Sequence, residues 1–220
     1  MPRLLFEKTG NAVWISHLDL MRVFQRSFQR AGLPLTHTKG FNPRPSVSIA
    51  LPMSVGIDSK CELLDFDLEG EKPSNEDIAA CLNKSLISGV KVLKVYDDGQ
   101  KIKNLSLLDC ILNFEYDRGT PEGACEALTA LFNREDITLE KRSKTGKISD
   151  QNVTAMIRNI TFTKKNANTL EVKARICCQN PTLNPMQIPA AIEKYLPKLQ
   201  PDFVTCSREE IYDQEENIFR

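Results

Sequence analysis

Arg22, Arg26 and Arg30 recur at steps of four. On a helix each such step turns only about 40°, so the three guanidinium groups form one stripe, flanked by Gln25 and Gln29. Such a stripe suits phosphate, because arginine stays charged and offers a bidentate fork to an oxyanion. A solvated helix face is the competing reading, and spacing alone leaves both open. The segment from Thr36 to Pro45 follows directly and gathers His37, Lys39, Gly40, Phe41, Arg44 and two prolines. Lys39 and Arg44 could hold phosphates and Gly40 could let the backbone approach a ligand, while Pro43 and Pro45 stiffen the loop. Phe41 either stacks on a base or plugs the core. A second basic loop, from Lys141 to Lys147, carries Lys144 and Lys147 about Gly146. It lacks the Walker frame, and lysines guarding an exposed strand edge explain it equally well.

Other chemistry is thinly supplied. Ser16, His17 and Asp19 lie within four residues, yet neighbours at a helix start do not present a nucleophile, base and orienting acid in line. His17 and His37 are the two histidines, and they are the candidates for a general base in RNA cleavage. No His or Cys spacing of the zinc-binding kind and no dinucleotide fingerprint accompanies them. Seven scattered cysteines, an odd number without a C-x-x-C pair, read as reduced and packed thiols. With no long apolar run and no secretory leader pattern in the first residues, the expected compartment is the cytoplasm.

The 220 residues are 41% hydrophobic and 26% charged, with 29 basic residues against 29 acidic. That is ordinary globular composition, which excludes collagenous, coiled-coil and wholly disordered chains. The balance is global and not local. Residues 1–50 hold seven basic against two acidic residues, 57–77 two against eight, and 141–175 nine against two. A local basic field gathers a phosphate backbone even on a neutral protein.

The elements that must position these groups follow from periodicity. Arg3 to Lys8 and Ala12 to Ile15 read as extended runs about the turn Thr9-Gly10-Asn11. A helix follows, capped by Ser16 with Asp19, with Leu18, Met21, Phe24 or Gln25, Phe28 and Ala31 inward and Gly32 and Pro34 at its end. Strands over 47–51 and 62–68, a helix over 75–85 and a strand over 90–96 complete the order βαββαβ. The second half shows strands from Leu107, Ile137, Arg158, Thr169 and Phe203 with helices over 122–133 and 185–196. The fold class predicted is α+β, with tandem ferredoxin-like units built on antiparallel sheets. The units span 1–98 and 105–211, joined by a polar linker, and the acidic stretch 212–220 reads as a disordered tail.

Several runs together carry a resemblance: Phe-Glu-Lys-Thr-Gly at 6–10, Trp-Ile-Ser-His-Leu-Asp-Leu-Met-Arg at 14–22, Arg-Ala-Gly-Leu-Pro-Leu at 30–35, Lys-Gly-Phe-Asn-Pro-Arg-Pro at 39–45 and Leu-Pro-Met-Ser-Val-Gly-Ile-Asp-Ser-Lys-Cys-Glu-Leu-Leu-Asp at 51–65. The chain resembles the uncharacterised radical SAM-linked protein family, a bacterial domain of unknown function encoded beside or fused to a radical S-adenosylmethionine protein. The likeness is dense over 3–68 and traceable to about residue 210. It departs from the family pattern at Asp150-Gln151-Asn152-Val153, where the family carries an Asp-apolar-Arg-Pro run. The resemblance implies a radical SAM partner that carries S-adenosylmethionine and an iron-sulfur cluster. This chain has no C-x-x-x-C-x-x-C motif and would hold neither. The expected function is a non-catalytic recognition module for RNA or a ribonucleoprotein. Two alternatives stand beside it. One is a metal-independent RNA endonuclease. The other is a protein-interaction subunit using the acidic runs 58–77 and 209–216.

Overall fold

The computed structural model describes residues 1–142, 146 and 148–220. The chain is a mixed α and β protein with antiparallel strand pairing and four α-helices among these residues. It divides into two compact units, one of Met1–Asn104 with Phe219–Arg220, the other of Leu105–Ile218.

In the first unit, β1 (Arg3–Lys8), α1 (His17–Arg30), β2 (Val47–Ile49), β3 (Ile57–Phe66), α2 (Asn75–Ser85) and β4 (Val90–Tyr96) follow in order. The strands lie β4-β1-β3, and β2 pairs β3. Alternation on β1 sends Leu4 and Phe6 into the core. There Phe6 meets Phe24 of α1 edge-on at 4.7 Å and Phe28 packs against Phe66 of β3 at 5.0 Å. Such aromatic pairs add about 0.5–1.5 kcal/mol beyond their buried area.

Both helices of this unit begin as their sequences predict. Ser16 accepts from the Asp19 backbone N–H at 3.2 Å, and Ser74 accepts from that of Asp77 at 3.0 Å while donating to its carboxylate at 2.7 Å. Truncating Ser74 to alanine is expected to cost about 1 kcal/mol. A lowered urea midpoint at unchanged slope would report it. The end of α1 is equally local. Gly32 N–H donates to the Gln29 carbonyl at 3.2 Å and Leu33 N–H to that of Phe28 at 3.0 Å, the paired bonds of a Schellman stop.

Three expectations for this unit are corrected. Ala12 to Ile15 is not a strand: Gly10–Trp14 forms a 3-10 helix, closed by Ala12 N–H to the Thr9 carbonyl at 3.2 Å and Ile15 N–H to the Ala12 carbonyl at 3.0 Å and anchored at the Val13 carbonyl by Lys8 Nζ at 3.1 Å and Gly56 N–H at 2.8 Å. Leu18 does not face inward and is 68% exposed, since Leu20, Phe24 and Phe28 fill the core line of α1. The tail is not a disordered appendage. Phe219 is fully buried, with the Arg3 guanidinium 5.6 Å from its ring centroid.

The second unit runs β5 (Leu105–Glu115), α3 (Ala124–Phe132), β6 (Thr138–Arg142), β7 (Ile148–Asn152), β8 (Ile157–Lys164), β9 (Thr169–Cys177), α4 (Gln187–Tyr195) and β10 (Phe203–Asp213). Its strands lie β10-β5-β9-β8, while β6 and β7 form a separate two-stranded hairpin. The strand foreseen from Ile137 therefore belongs to an insertion between α3 and β8. Leu170, Val172, Ala174 and Ile176 of β9 are buried and alternate with Glu171, Lys173 and Arg175. One face of the sheet is thus apolar and the other charged.

Candidate nucleic-acid interface

Each arginine of the helical stripe is exposed, and each has a different local commitment. Arg22 pairs with Asp19 at 2.8 Å. The Asp19 carboxyl is held below its ordinary range first by the Ser16 hydroxyl and then by Arg22. Arg30 donates to the Ser85 carbonyl at 2.7 Å and to Ser27 Oγ at 3.1 Å, tying α1 to the end of α2. Arg26 has no side-chain partner among the described residues.

The loop after α1 is built as an arm. Leu35 bridges to Leu68, Thr36 N–H donates to the Asp67 carbonyl at 3.0 Å, and the Thr36 hydroxyl donates to the Asp67 carboxylate at 2.9 Å. Further out, His37 bridges to Pro45, and Thr38 N–H donates to the Arg44 carbonyl at 2.8 Å. The arm thereby carries Lys39 to Pro43 at its tip. Phe41 is fully exposed there, so it does not plug the core. Lys39 and Arg44 are exposed, and their side chains have no partner among the described residues.

Between the helix and the root of the arm lies a cavity of about 450 Å³. Gln25, Arg26 and Gln29 form its helical wall, Leu33, Pro34, Leu35 and Pro45 its apolar surface, and His37 and Glu69 its rim. His37 Nδ1 stands 3.8 Å from Glu69 Oε1. Amides, one acceptor carboxylate and one uncommitted guanidinium over an apolar floor are the mixture that reads the edge of a planar polar ring. Glu69 was not foreseen. Its signal was the pairing of 34–36 with 67–69, which sequence alone does not reveal.

His17 does not line this cavity; it opens α1, with Nδ1 buried and without a hydrogen-bond partner. Lys144 and Lys147 lie outside the described residues. The acidic run 58–77 is largely spent on local structure: Ser59 donates to Glu62, Asp65 pairs with Arg3 at 2.5 Å, Asp67 accepts from Thr36, and Glu76 and Asp77 occupy the first turn of α2. No group of three or more His, Cys, Asp or Glu placed to hold a metal occurs among the described residues. None of the seven cysteines is in a disulfide among the described residues, and five of them are buried. No helix among these residues is long and apolar enough to cross a membrane.

A larger cavity, about 760 Å³, opens on the charged sheet face of the second unit. Asp109, Glu209 and Glu216 line it together with Arg158, Lys173 and Arg175. Asp109 holds Arg175 through Nε at 2.8 Å and also accepts from Tyr212 at 2.9 Å, and Glu216 pairs with Arg175 as well. Lys173 lies 3.3 Å from Glu171. Size favours this cavity, but its cations are mostly neutralised where they stand. Arg158 alone is left without a partner there among the described residues, whereas in the smaller cavity the uncommitted Arg26 stands beside an arm that carries Lys39 and Arg44, both also without partners.

Residues 2–185 match the model of a family described as an uncharacterized protein conserved in bacteria, DUF2344. The chain belongs to that family. No curated protein matches this DUF2344 chain. Among solved structures it is similar to a chain of a Cbf5-Nop10-Gar1 complex, at a TM-score of 0.52 and 5% identity over 96% of this chain and 48% of that one. A chain of an archaeal box H/ACA sRNP Nop10-Cbf5 complex gives a TM-score of 0.43 at 6% identity, over 94% and 46%. An unknown protein from Galdieria sulphuraria gives 0.27 at 8% identity, over 94% and 96%. The DUF2344 chain spans about half the length of the first two. At such identity the first likeness concerns the fold alone.

Proposed function

We propose that this DUF2344 chain is a non-catalytic recognition module for RNA, made of two ferredoxin-like units and acting with a radical SAM enzyme in the cytoplasm. The observation that carries the RNA reading is the cavity that joins the α1 stripe to the root of the 36–45 arm, with Arg26 facing it. Arg26, Lys39 and Arg44 hold phosphates, and Gln25, Gln29 and Glu69 meet base edges over the apolar floor. The ferredoxin-like reading is supported by the strand orders, β4-β1-β3-β2 in the first unit and β10-β5-β9-β8 in the second, each with two helices in the order βαββαβ once the β6-β7 hairpin is set aside. The partner reading rests on the resemblance carried by residues 6–65. A chain of similar fold assembled in a Cbf5-Nop10-Gar1 complex is compatible with it. S-adenosylmethionine and the iron-sulfur cluster belong to that partner.

The test is binding of labelled structured RNA to the full chain across a salt series. Three to five phosphate contacts give a slope of log K against log salt of about −2 to −4. Absence of binding at low salt overturns the RNA reading. Cleavage in excess EDTA, abolished by His37→Ala or His17→Ala, overturns the non-catalytic one.

A further inference from the structure

Trp14 is the single tryptophan of the chain, and it is 66% exposed. It is nevertheless firmly placed. The preceding residue, Val13, is buried, and its carbonyl accepts from Lys8 Nζ and Gly56 N–H. The indole lies beside Gly56, close enough that a Cβ there would stand 3.6 Å from its Cζ3. Val55 is 51% exposed and Leu18, on the first turn of α1, 68%. Leu18 is followed at steps of four by Arg22, Arg26 and Arg30, a row of about 18 Å. An aromatic face therefore stands three residues before a helix whose exposed side continues as a line of cations. The Asp19 partner of Arg22 is itself exposed, and a surface pair of that kind yields readily to a phosphate.

We propose that Trp14 is a stacking platform for an unpaired base of the RNA whose backbone follows α1, with Leu18 and Val55 bordering the stacked ring. The proposal rests on the RNA reading above and narrows its substrate to RNA with a single-stranded segment. A base inside a duplex already has both faces covered, so it offers nothing to the indole. A protein partner would also accept the apolar side chains, but the adjoining row of arginines complements a phosphate chain.

Because the chain has one tryptophan, its fluorescence reads this site directly. The full chain is titrated with a short single-stranded oligoribonucleotide and with the same strand annealed to its complement, while anisotropy of the labelled RNA reports binding independently. Saturable quenching by the single strand, in step with the anisotropy, is expected. Trp14→Ala weakens the single strand about tenfold or more and leaves the duplex unchanged, while Trp14→Phe retains most of the affinity. Salt-dependent binding without quenching, with Trp14→Ala unaltered, overturns the platform and leaves the RNA reading standing. Equal quenching by the duplex overturns the preference for unpaired bases. No anisotropy change at low salt removes both. Should Trp14→Ala fail to fold, the wild-type quenching and Trp14→Phe decide the matter.

Discussion

Reversing Arg26, Lys39 and Arg44 together to glutamate is expected to weaken single-stranded RNA binding about 50-fold at 0.15 M salt, with a salt slope shallower by about two. These three side chains have no partner among the described residues, so their reversal breaks no local contact. Each contact to a single strand contributes about 0.7 to the slope, which for three amounts to about 1.7 decades at that salt. Arg22 and Arg30 are poorer choices, since Asp19 and the Ser85 carbonyl would lose a partner with them. Fluorescence anisotropy over the salt series measures both quantities in one experiment. Arg158→Glu in the second unit is the counterpart, because that arginine is also exposed and without a partner among the described residues. A loss from Arg158→Glu with binding unaltered in the triple variant would move the contact surface to the 760 Å³ cavity and sink the assignment to α1 and its arm.

Most of the element order was legible because local signals agreed with tertiary demand. Ser74 with Asp77 and the run Ile78, Ala79, Leu82 gave the bounds of α2, and the β-branched Val90, Val92 and Val95 gave β4, although the inward phase slips by one between Val92 and Val95, where β4 shifts register against β1. The phase of α1 was harder. Leu18 and Leu20 are both apolar, and only the depth of Phe24 and Phe28 against β1 and β3 decides that Leu20 turns inward. That choice leaves Leu18 in solvent beside the arginine row. The turn at Gly10–Trp14 was misread because, besides its own Thr9–Ala12 and Ala12–Ile15 bonds, it is held at the Val13 carbonyl by Lys8 and by Gly56, the latter more than forty residues away in the chain. The same limit applies to the candidate site. Arg26 and the basic arm are local features, whereas Glu69 reaches the cavity through the Leu35–Leu68 bridge. In the second unit, the alternation of Glu171, Lys173 and Arg175 was a visible sign of a charged sheet face, but its partners Asp109 and Glu216 come from distant positions. Phe219 escaped notice because an acidic neighbourhood hides one aromatic residue that fills a core.

Gly89→Ala is expected to cost about 3 kcal/mol or more of stability, read as a lower urea midpoint at constant slope. Gly89 adopts φ +85°, and a Cβ there would lie 2.4 Å from the Thr9 carbonyl oxygen and 2.9 Å from Ala12 Cβ. Neither neighbour can give way cheaply. Thr9 N–H donates to the Gly89 carbonyl at 2.7 Å, and the Thr9 carbonyl accepts from Ala12 N–H at 3.2 Å, so both obstacles are fixed in backbone turns. Gly32→Ala separates strain from collision: its φ is +69°, yet a Cβ there meets nothing within 4 Å. That variant carries the left-handed penalty alone, about 1–2 kcal/mol, and the difference between the two measures the clash. Equal losses would show that the β4 approach tolerates a methyl group and that the turn is softer than its hydrogen bonds imply. The Thr9–Ala12 turn also begins the 3-10 helix that ends at Trp14, so a displaced turn changes more than stability. Gly89→Ala should shift Trp14 emission in the folded protein and reduce its quenching by single-stranded RNA, effects that Gly32→Ala leaves untouched.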